Sequence, residues 1–235
     1  MPVDLAALAL AFGKSLLFVL ATLLPILNPA ATAPIFLGLT EGASAATRAL
    51  LARRIARNMF GLMAGSMLVG SYVLDFFGIS LPIVRIGGGL IVAAAAWRLL
   101  TATQATMDSR TQLAEAFTPE QARRQAFYPL TFPISCGPGS ITAAITVGVA
   151  LHDAALVVSV VRMGGALSAL LLIALILYLA FRYAQHLLRP LGEAGTVVFL
   201  RLSAFILLCV GVQIVWDGAS ELLRGLLVAP PAAPA

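Results

Sequence analysis

Charge is what this chain has least of. Ten acidic and fifteen basic residues make up 11% of its 235 positions, against about 25% in an ordinary soluble domain. So few charges cannot cover a water-facing surface, and 60% of the residues are apolar, so the solvent that fits is lipid. Cysteine is scarce too. Cys136 and Cys209 both lie inside apolar runs, with no C-x-x-C pair, which argues against a zinc site and for two free membrane-embedded thiols. The two histidines, His152 and His186, fall at opposite membrane faces, so they share neither a metal nor a catalytic site. Ser140 has no histidine in the membrane interior to activate it, and the chain reads as a non-enzyme. Lysine occurs once. The sequence pI of 9.9 would suit a nucleic-acid binder, but the arginines sit between apolar runs, where basic residues set membrane orientation. No nucleic-acid partner is expected.

What is present is long apolar sequence, with a mean hydropathy of +0.99. A helix needs about 20 apolar residues to cross a hydrocarbon core of about 30 Å. Charges divide the chain into six such spans. The first lies between Lys14 and Glu41 and the second between Arg57 and Asp75. The third runs from about Phe76 to Trp97, and the fourth lies between Arg124 and Asp153. The fifth runs from about Ala154 to Phe181 and the sixth from about Ala194 to Trp216. Lys14 before an apolar stretch and Ala31-Thr32-Ala33 imitate a signal peptide, but Pro34 would be the first mature residue, so a retained first span is expected. The connections 40–57, 98–124 and 182–193 carry arginine, whereas 75–80 and 151–153 carry none. The basic connections therefore face the cytoplasm and both termini face outward. One membrane domain, 1–225, precedes a Pro/Ala-rich tail, 226–235, expected to be disordered.

Two spans share a pattern. Span one contains Pro25, Pro29 and Pro34; span four contains Pro129, Pro133 and Pro138. The intervals are the same in both. The uncharged stretches around them, 15–40 and 125–152, would reach about 40 Å as straight helices. Arg85-Ile-Gly-Gly in span three and Arg201-Leu-Ser-Ala in span six form a second matching pair. The chain thus reads as two halves, about 5–102 and 125–222, of three spans each. An odd number of spans inserts the second half upside down, the inverted-repeat plan of many secondary transporters. The expected fold is all-α, with six transmembrane helices, an inverted 3+3 repeat and discontinuous first and fourth helices.

Each proline removes a backbone donor and clashes one turn back. Broken backbone at membrane depth survives where protein or a water-filled cavity covers it. Pro34 and Pro138 suit the first position of a new half-helix, whose N–H groups favour a carboxylate, while the carbonyls ending the preceding half favour an ammonium. The candidate substrate site is Asn28, Pro29, Thr32, Ala33, Pro34, Ser135, Cys136, Gly137, Pro138, Gly139 and Ser140. No charge lies within either break, so a small neutral solute such as an amino-acid zwitterion is favoured. Arg85, Arg162 and Asp217 are candidates for an outer ion-pair gate, with snorkelling to the interface as the alternative. Gly61-x-x-x-Gly65 and Gly87-Gly88-Gly89 suit close helix packing, and Gln213 suits a hydrogen bond across helices. Besides the bilayer and a small neutral amino acid, no partner or cofactor is indicated.

At these residues the chain resembles the MarC family, which includes SnatA-type transporters of small neutral amino acids. Asn28, Pro29, Pro34 and Phe36 match the first-break motif, with Ala31 in place of its glycine. Pro129, Leu130, Pro133, Gly137, Pro138 and Gly139 match the second, with Thr131 in place of alanine. The Arg85-Ile-Gly-Gly and Arg201-Leu segments, Gln213 and Gly218 extend the likeness over nearly the whole chain. The resemblance implies a bacterial inner-membrane protein with six spans. It also implies export or other secondary transport of glycine or alanine, with possible proton coupling. No carboxylate at mid-membrane offers itself as the proton carrier. A passive pore for small solutes and a non-transporting scaffold are the alternatives.

Overall fold

A chain in lipid must satisfy its own backbone polar groups, and helices do so within one segment. The computed structural model describes residues 5–40, 43–101, 126–153, 155–188, 190 and 192–228. The longer elements among them are all helical. They are α1 (Leu5–Leu27), α2 (Pro29–Leu39), α3 (Ala45–Phe76), α4 (Leu81–Thr101), α5 (Ala126–Ser135), α6 (Pro138–Ala150), α7 (Leu156–Arg182), α8 (Ala184–Leu188) and α9 (Gly192–Val228). Five stretches are long and apolar enough to cross a membrane: α1 with α2, α3, α4, α7 and α9. The shorter apolar α6 follows α5 in the region of the expected fourth span. Most of the connection 98–124, from residue 102 onward, lies outside the described residues. So does the tail from 229 onward, while 226–228 still belong to α9.

Charged residues do not end these helices where a hydropathy reading expects. Lys14 lies within α1, which begins at Leu5. The third span begins at Leu81 rather than Phe76, and the sixth runs past Trp216 to Val228. Arginine and lysine are good helix formers, so the backbone ladder continues beyond the bilayer until a cap stops it. α3 shows the rule. Ser44 fixes its start, accepting from the Thr47 N–H at 3.1 Å. Its 32 residues extend about 48 Å. The turns carrying Arg48, Arg53, Arg54 and Arg57 therefore project from a hydrocarbon core of about 30 Å.

Lipid tails are as apolar as leucine, so helices associate through close packing at small residues. α4 and α9 run antiparallel, with Gly89 against Gly211 and Val215, and Gly218 against Pro82 and Arg85. A Cβ on Gly211 would lie 2.7 Å from the Ala93 nitrogen. The α1–α2 segment runs alongside α7 in the same direction. Gly165 sits on the Phe12 backbone, and Phe36 stacks on Phe181 at 4.6 Å between ring centroids. α3 packs against α5, α6 and α7, with Gly148 on the Met67 backbone. The interior is aliphatic and sulfur-rich: Leu23, Leu27, Met59, Met63, Leu170 and Leu177 are fully or almost fully buried. Many large apolar side chains point outward, Phe76 84% and Leu156 78% exposed, as a lipid-facing surface requires.

Gly61 and Gly65 depart from expectation. A Cβ built on either meets nothing within 4 Å, and the same holds for Gly87, whereas Gly88 and Gly89 do make close contacts. Among the described residues nothing covers the G-x-x-x-G face of α3. This difference is measurable as stability in detergent. Gly211→Val should cost about 2 kcal/mol or more through overpacking. Gly65→Ala should stay within about 1 kcal/mol, on the stabilising side, because alanine is the better helix former. Equal losses would contradict the packing described.

Candidate functional site

The two proline triplets break the backbone in different ways. In the first, α1 ends at Leu27 with Pro25 in its last turn. Asn28 takes φ 41°, the one non-glycine residue at positive φ among the described residues. Asparagine is among the side chains that tolerate this region best. The new helix then starts at Pro29, not at Pro34 as expected; Pro34 lies inside α2. The reason is capping. Asn28 Oδ1 accepts from the Ala31 N–H at 3.1 Å, and the Asn28 carbonyl accepts from the Ala31 and Thr32 N–H groups, each at 3.1 Å. That is an N-cap, and it fixes proline at the first helical position.

The second break is longer. Tyr128 (φ −118°, ψ 123°) and Phe132 (φ −115°, ψ 125°) are extended inside α5. Each immediately precedes a proline, which drives its neighbour out of the helical region. The turns around them are wide: the Cys136 N–H reaches the Thr131 carbonyl at 2.8 Å, five residues back. Gly137 is extended at φ −85°, ψ 174°, and α6 begins at Pro138 as expected. Gly137 has no side chain, so α6 has no side-chain cap. The Ser140 and Ile141 N–H groups bond the Gly137 carbonyl. No described hydrogen bond engages the N–H of Gly139.

The hydroxyls near the breaks are already committed as donors. Thr32 donates to the Asn28 carbonyl at 3.1 Å, Thr131 to Ala126 at 2.6 Å and Ser135 to Leu130 at 2.8 Å. Ser140 donates to Gly137 at 2.7 Å and Thr142 to Pro138 at 3.0 Å. These bonds cover carbonyls that irregular or proline-containing helix leaves exposed. A ligand carboxylate would therefore find backbone N–H groups rather than hydroxyl protons. Asn58, unremarked in the sequence, donates to Thr131 Oγ1 at 3.4 Å and ties α3 to α5. The buried side-chain oxygen left without a partner among the described residues is Thr146 Oγ1, farther along α6.

Packing relates the two breaks. α1, which enters the first, lies against α6, which leaves the second. α2, which leaves the first, touches α5, which enters the second. Pro29, Thr32, Ala33, Ser135, Cys136, Gly139 and Ser140 are buried, while Asn28, Pro34, Gly137 and Pro138 are half-buried. Gly139 presses on Val92 and the Gly88 carbonyl of α4, leaving no room for a Cβ. Both thiols are free, Cys136 buried and Cys209 exposed.

The three gate candidates each have a described partner other than one another. Arg85 pairs with Glu221, and Arg162 pairs with Asp153 at 3.1 Å. Asp217 accepts from Gln213 at 2.7 Å within α9, so Gln213 makes that bond along its own helix rather than across. Hydropathy ends the sixth span at Trp216, five residues short of Glu221, so the sequence does not point to this partner. A surface concavity of about 400 Å³ lies away from the breaks, lined by Ala46, Ala49, Leu50, Arg53, Arg54 and Arg57.

Asn28 is thus a structural cap at a strained position. Asn28→Ala should lower unfolding stability in micelles by about 1–2 kcal/mol, and Asn28→Gly by only a few tenths. The reverse order would remove the positive-φ argument.

Residues 13–223 match the model of the MarC family integral membrane protein. The UPF0056 inner membrane protein MarC of Escherichia coli (strain K12) is 33% identical over 207 residues, 87% of this chain and 94% of that protein. The proteins of the same name from Shigella flexneri and Escherichia coli O1:K1 / APEC show the same identity and coverage. No solved structure matches. With most of both chains aligned and the apolar helices in place, this chain belongs to the MarC family of integral membrane proteins.

Proposed function

We propose that the protein is a secondary transporter of small neutral amino acids, of the glycine or alanine class, and not an enzyme. The observation that carries this reading is the pairing of two broken segments whose half-helices pack α1 to α6 and α2 to α5. Such an arrangement puts both irregular stretches at a common depth. Irregular backbone at membrane depth is tolerated where protein buries it or where it lines a water-filled cavity, and paired broken helices form the substrate site of many secondary transporters.

The breaks divide the labour. α2 is capped by Asn28, whereas α6 carries no side-chain cap. The substrate carboxylate therefore docks at the start of α6, on the Gly139 N–H, with the helix dipole behind it. The ammonium faces the carbonyls that end α1 and α5. Small side chains such as Ala33 and Ser135 suit glycine or alanine rather than a larger solute.

Six spans in an inverted 3+3 arrangement support alternating access. Exchange α1–α2 with α5–α6, α3 with α7, and α4 with α9, and the packing pattern returns to itself. α1 on α7 becomes α5 on α3, α2 on α7 becomes α6 on α3, and α4 on α6 becomes α9 on α2, while α3–α7 and α4–α9 map onto themselves. The arginines at the start of α3 and the end of α7 support a cytoplasmic placement of that end, with both termini outside.

Proteoliposomes loaded with labelled glycine or alanine test the reading. Saturable flux with counterflow is expected. Flux without saturation would indicate a pore, and no flux a scaffold. In the same assay Gly137→Ser, which gives α6 a competing side-chain cap, should weaken substrate affinity by about tenfold, a loss of about 1.4 kcal/mol. Unchanged affinity in a folded Gly137→Ser protein would move the carboxylate elsewhere.

A further inference from the structure

We propose that the basic face at the start of α3 binds an anionic phospholipid, its phosphate on Arg53, Arg54 and Arg57 and an acyl chain on the open glycines Gly61 and Gly65.

Two arginines at this end make described side-chain hydrogen bonds, and Arg53 lies beside the same Tyr178 hydroxyl that Arg182 engages. Arg48 donates to the Thr40 carbonyl at 3.3 Å. Arg182 donates to the Tyr178 hydroxyl at 2.7 Å and lies over the Tyr178 and Tyr183 rings. Arg53, Arg54 and Arg57 make no ion pair with a described carboxylate; the described pairs are those of Arg85 and Arg162. Arg53 and Arg57 are exposed and Arg54 is half-buried. With Ala46, Ala49 and Leu50 they line the 400 Å³ concavity. The spacing i, i+3, i+4, i+7, i+8, i+11 puts all six on one helical face. Guanidinium forks suit phosphate oxygens.

The same face continues into the membrane. Gly61 is one turn beyond Arg57 and Gly65 one turn farther, and a Cβ on either would enter open space. Leu68 and Tyr72 carry the exposed stripe onward. Charge at headgroup depth followed by a shallow glycine channel at acyl depth is the profile of a phospholipid, and basic pockets on the cytoplasmic side bind acidic headgroups. A second copy of the chain fits less well. Two copies in the same orientation, packed through Gly61 and Gly65, would bring Arg57 of each against its counterpart one helical turn from the closest approach and Arg53 one turn farther, and like charges there repel.

The test uses the purified full chain in detergent, with native mass spectrometry and thermal unfolding. Phosphatidylglycerol should stay bound and raise Tm, whereas phosphatidylcholine and inorganic phosphate at equal concentration should do neither. The triple variant Arg53→Gln/Arg54→Gln/Arg57→Gln should bind phosphatidylglycerol about a hundredfold more weakly. Lysine at the same three positions should restore most of the binding, because the charge is retained, with a remaining loss of about threefold from the missing guanidinium fork. Gly61→Leu/Gly65→Leu should fold normally and lose the lipid; if the glutamine variant fails to fold, this pair decides the question. Equal binding of the two lipids, competition by phosphate alone, or full binding by the Gly61→Leu/Gly65→Leu chain would overturn the proposal. So would a dimer that Gly61→Cys crosslinks and Gly65→Leu dissolves.

Discussion

Everything distinctive in this structure follows from where backbone hydrogen bonds go when proline removes their donors in a solvent that offers no replacement. Six prolines at matched spacing break two apolar segments. The freed groups are taken up locally: Asn28 caps α2, and Thr131 and Ser135 cover carbonyls of α5. Neighbouring helices then cover the irregular backbone. α7 holds α2 through the Phe36–Phe181 stack, α3 holds α5 through Asn58, and α4 closes on α6 at Gly139. Removing this cover would expose unsatisfied backbone to hydrocarbon, at several kcal/mol per group.

This constraint explains why the packing is rich in glycine but selective about it. Gly89, Gly148, Gly165, Gly211 and Gly218 each lie against a neighbouring backbone or a bulky side chain. Their contacts let α4, α6 and α7 approach their partners closely enough to seal the broken segments. Gly61 and Gly65 have the spacing of a packing motif yet meet no neighbour among the described residues. Spacing alone identifies a surface that permits close approach; what approaches it depends on the rest of the fold.

The charged groups are arranged by end. Arg53, Arg54, Arg57 and Arg182 mark one end, while the Arg85–Glu221 and Arg162–Asp153 pairs mark the other. The latter pairs are partly exposed, so they contribute modestly to stability. They join α4 to α9 and Asp153 to α7.

The sequence by itself determined the solvent, the all-helical class, the places where the first and fourth apolar segments break, and the start of α6 at Pro138. Composition, apolar run length and proline stereochemistry act locally, so they are legible without neighbours. The sequence misjudged what depends on neighbours or caps. Hydropathy ended helices at charges, although the backbone ladder runs through them. Equal proline spacing suggested equal breaks, yet the Asn28 side chain restarts the first helix at Pro29 while Gly137, lacking one, leaves α6 uncapped. The partners of Arg85 and Arg162 were also decided by tertiary structure, because an ion pair needs two side chains at one depth and on facing surfaces. Which half-helix end stays free for a ligand is therefore a property of the folded chain, set by one side chain that caps and one that is missing.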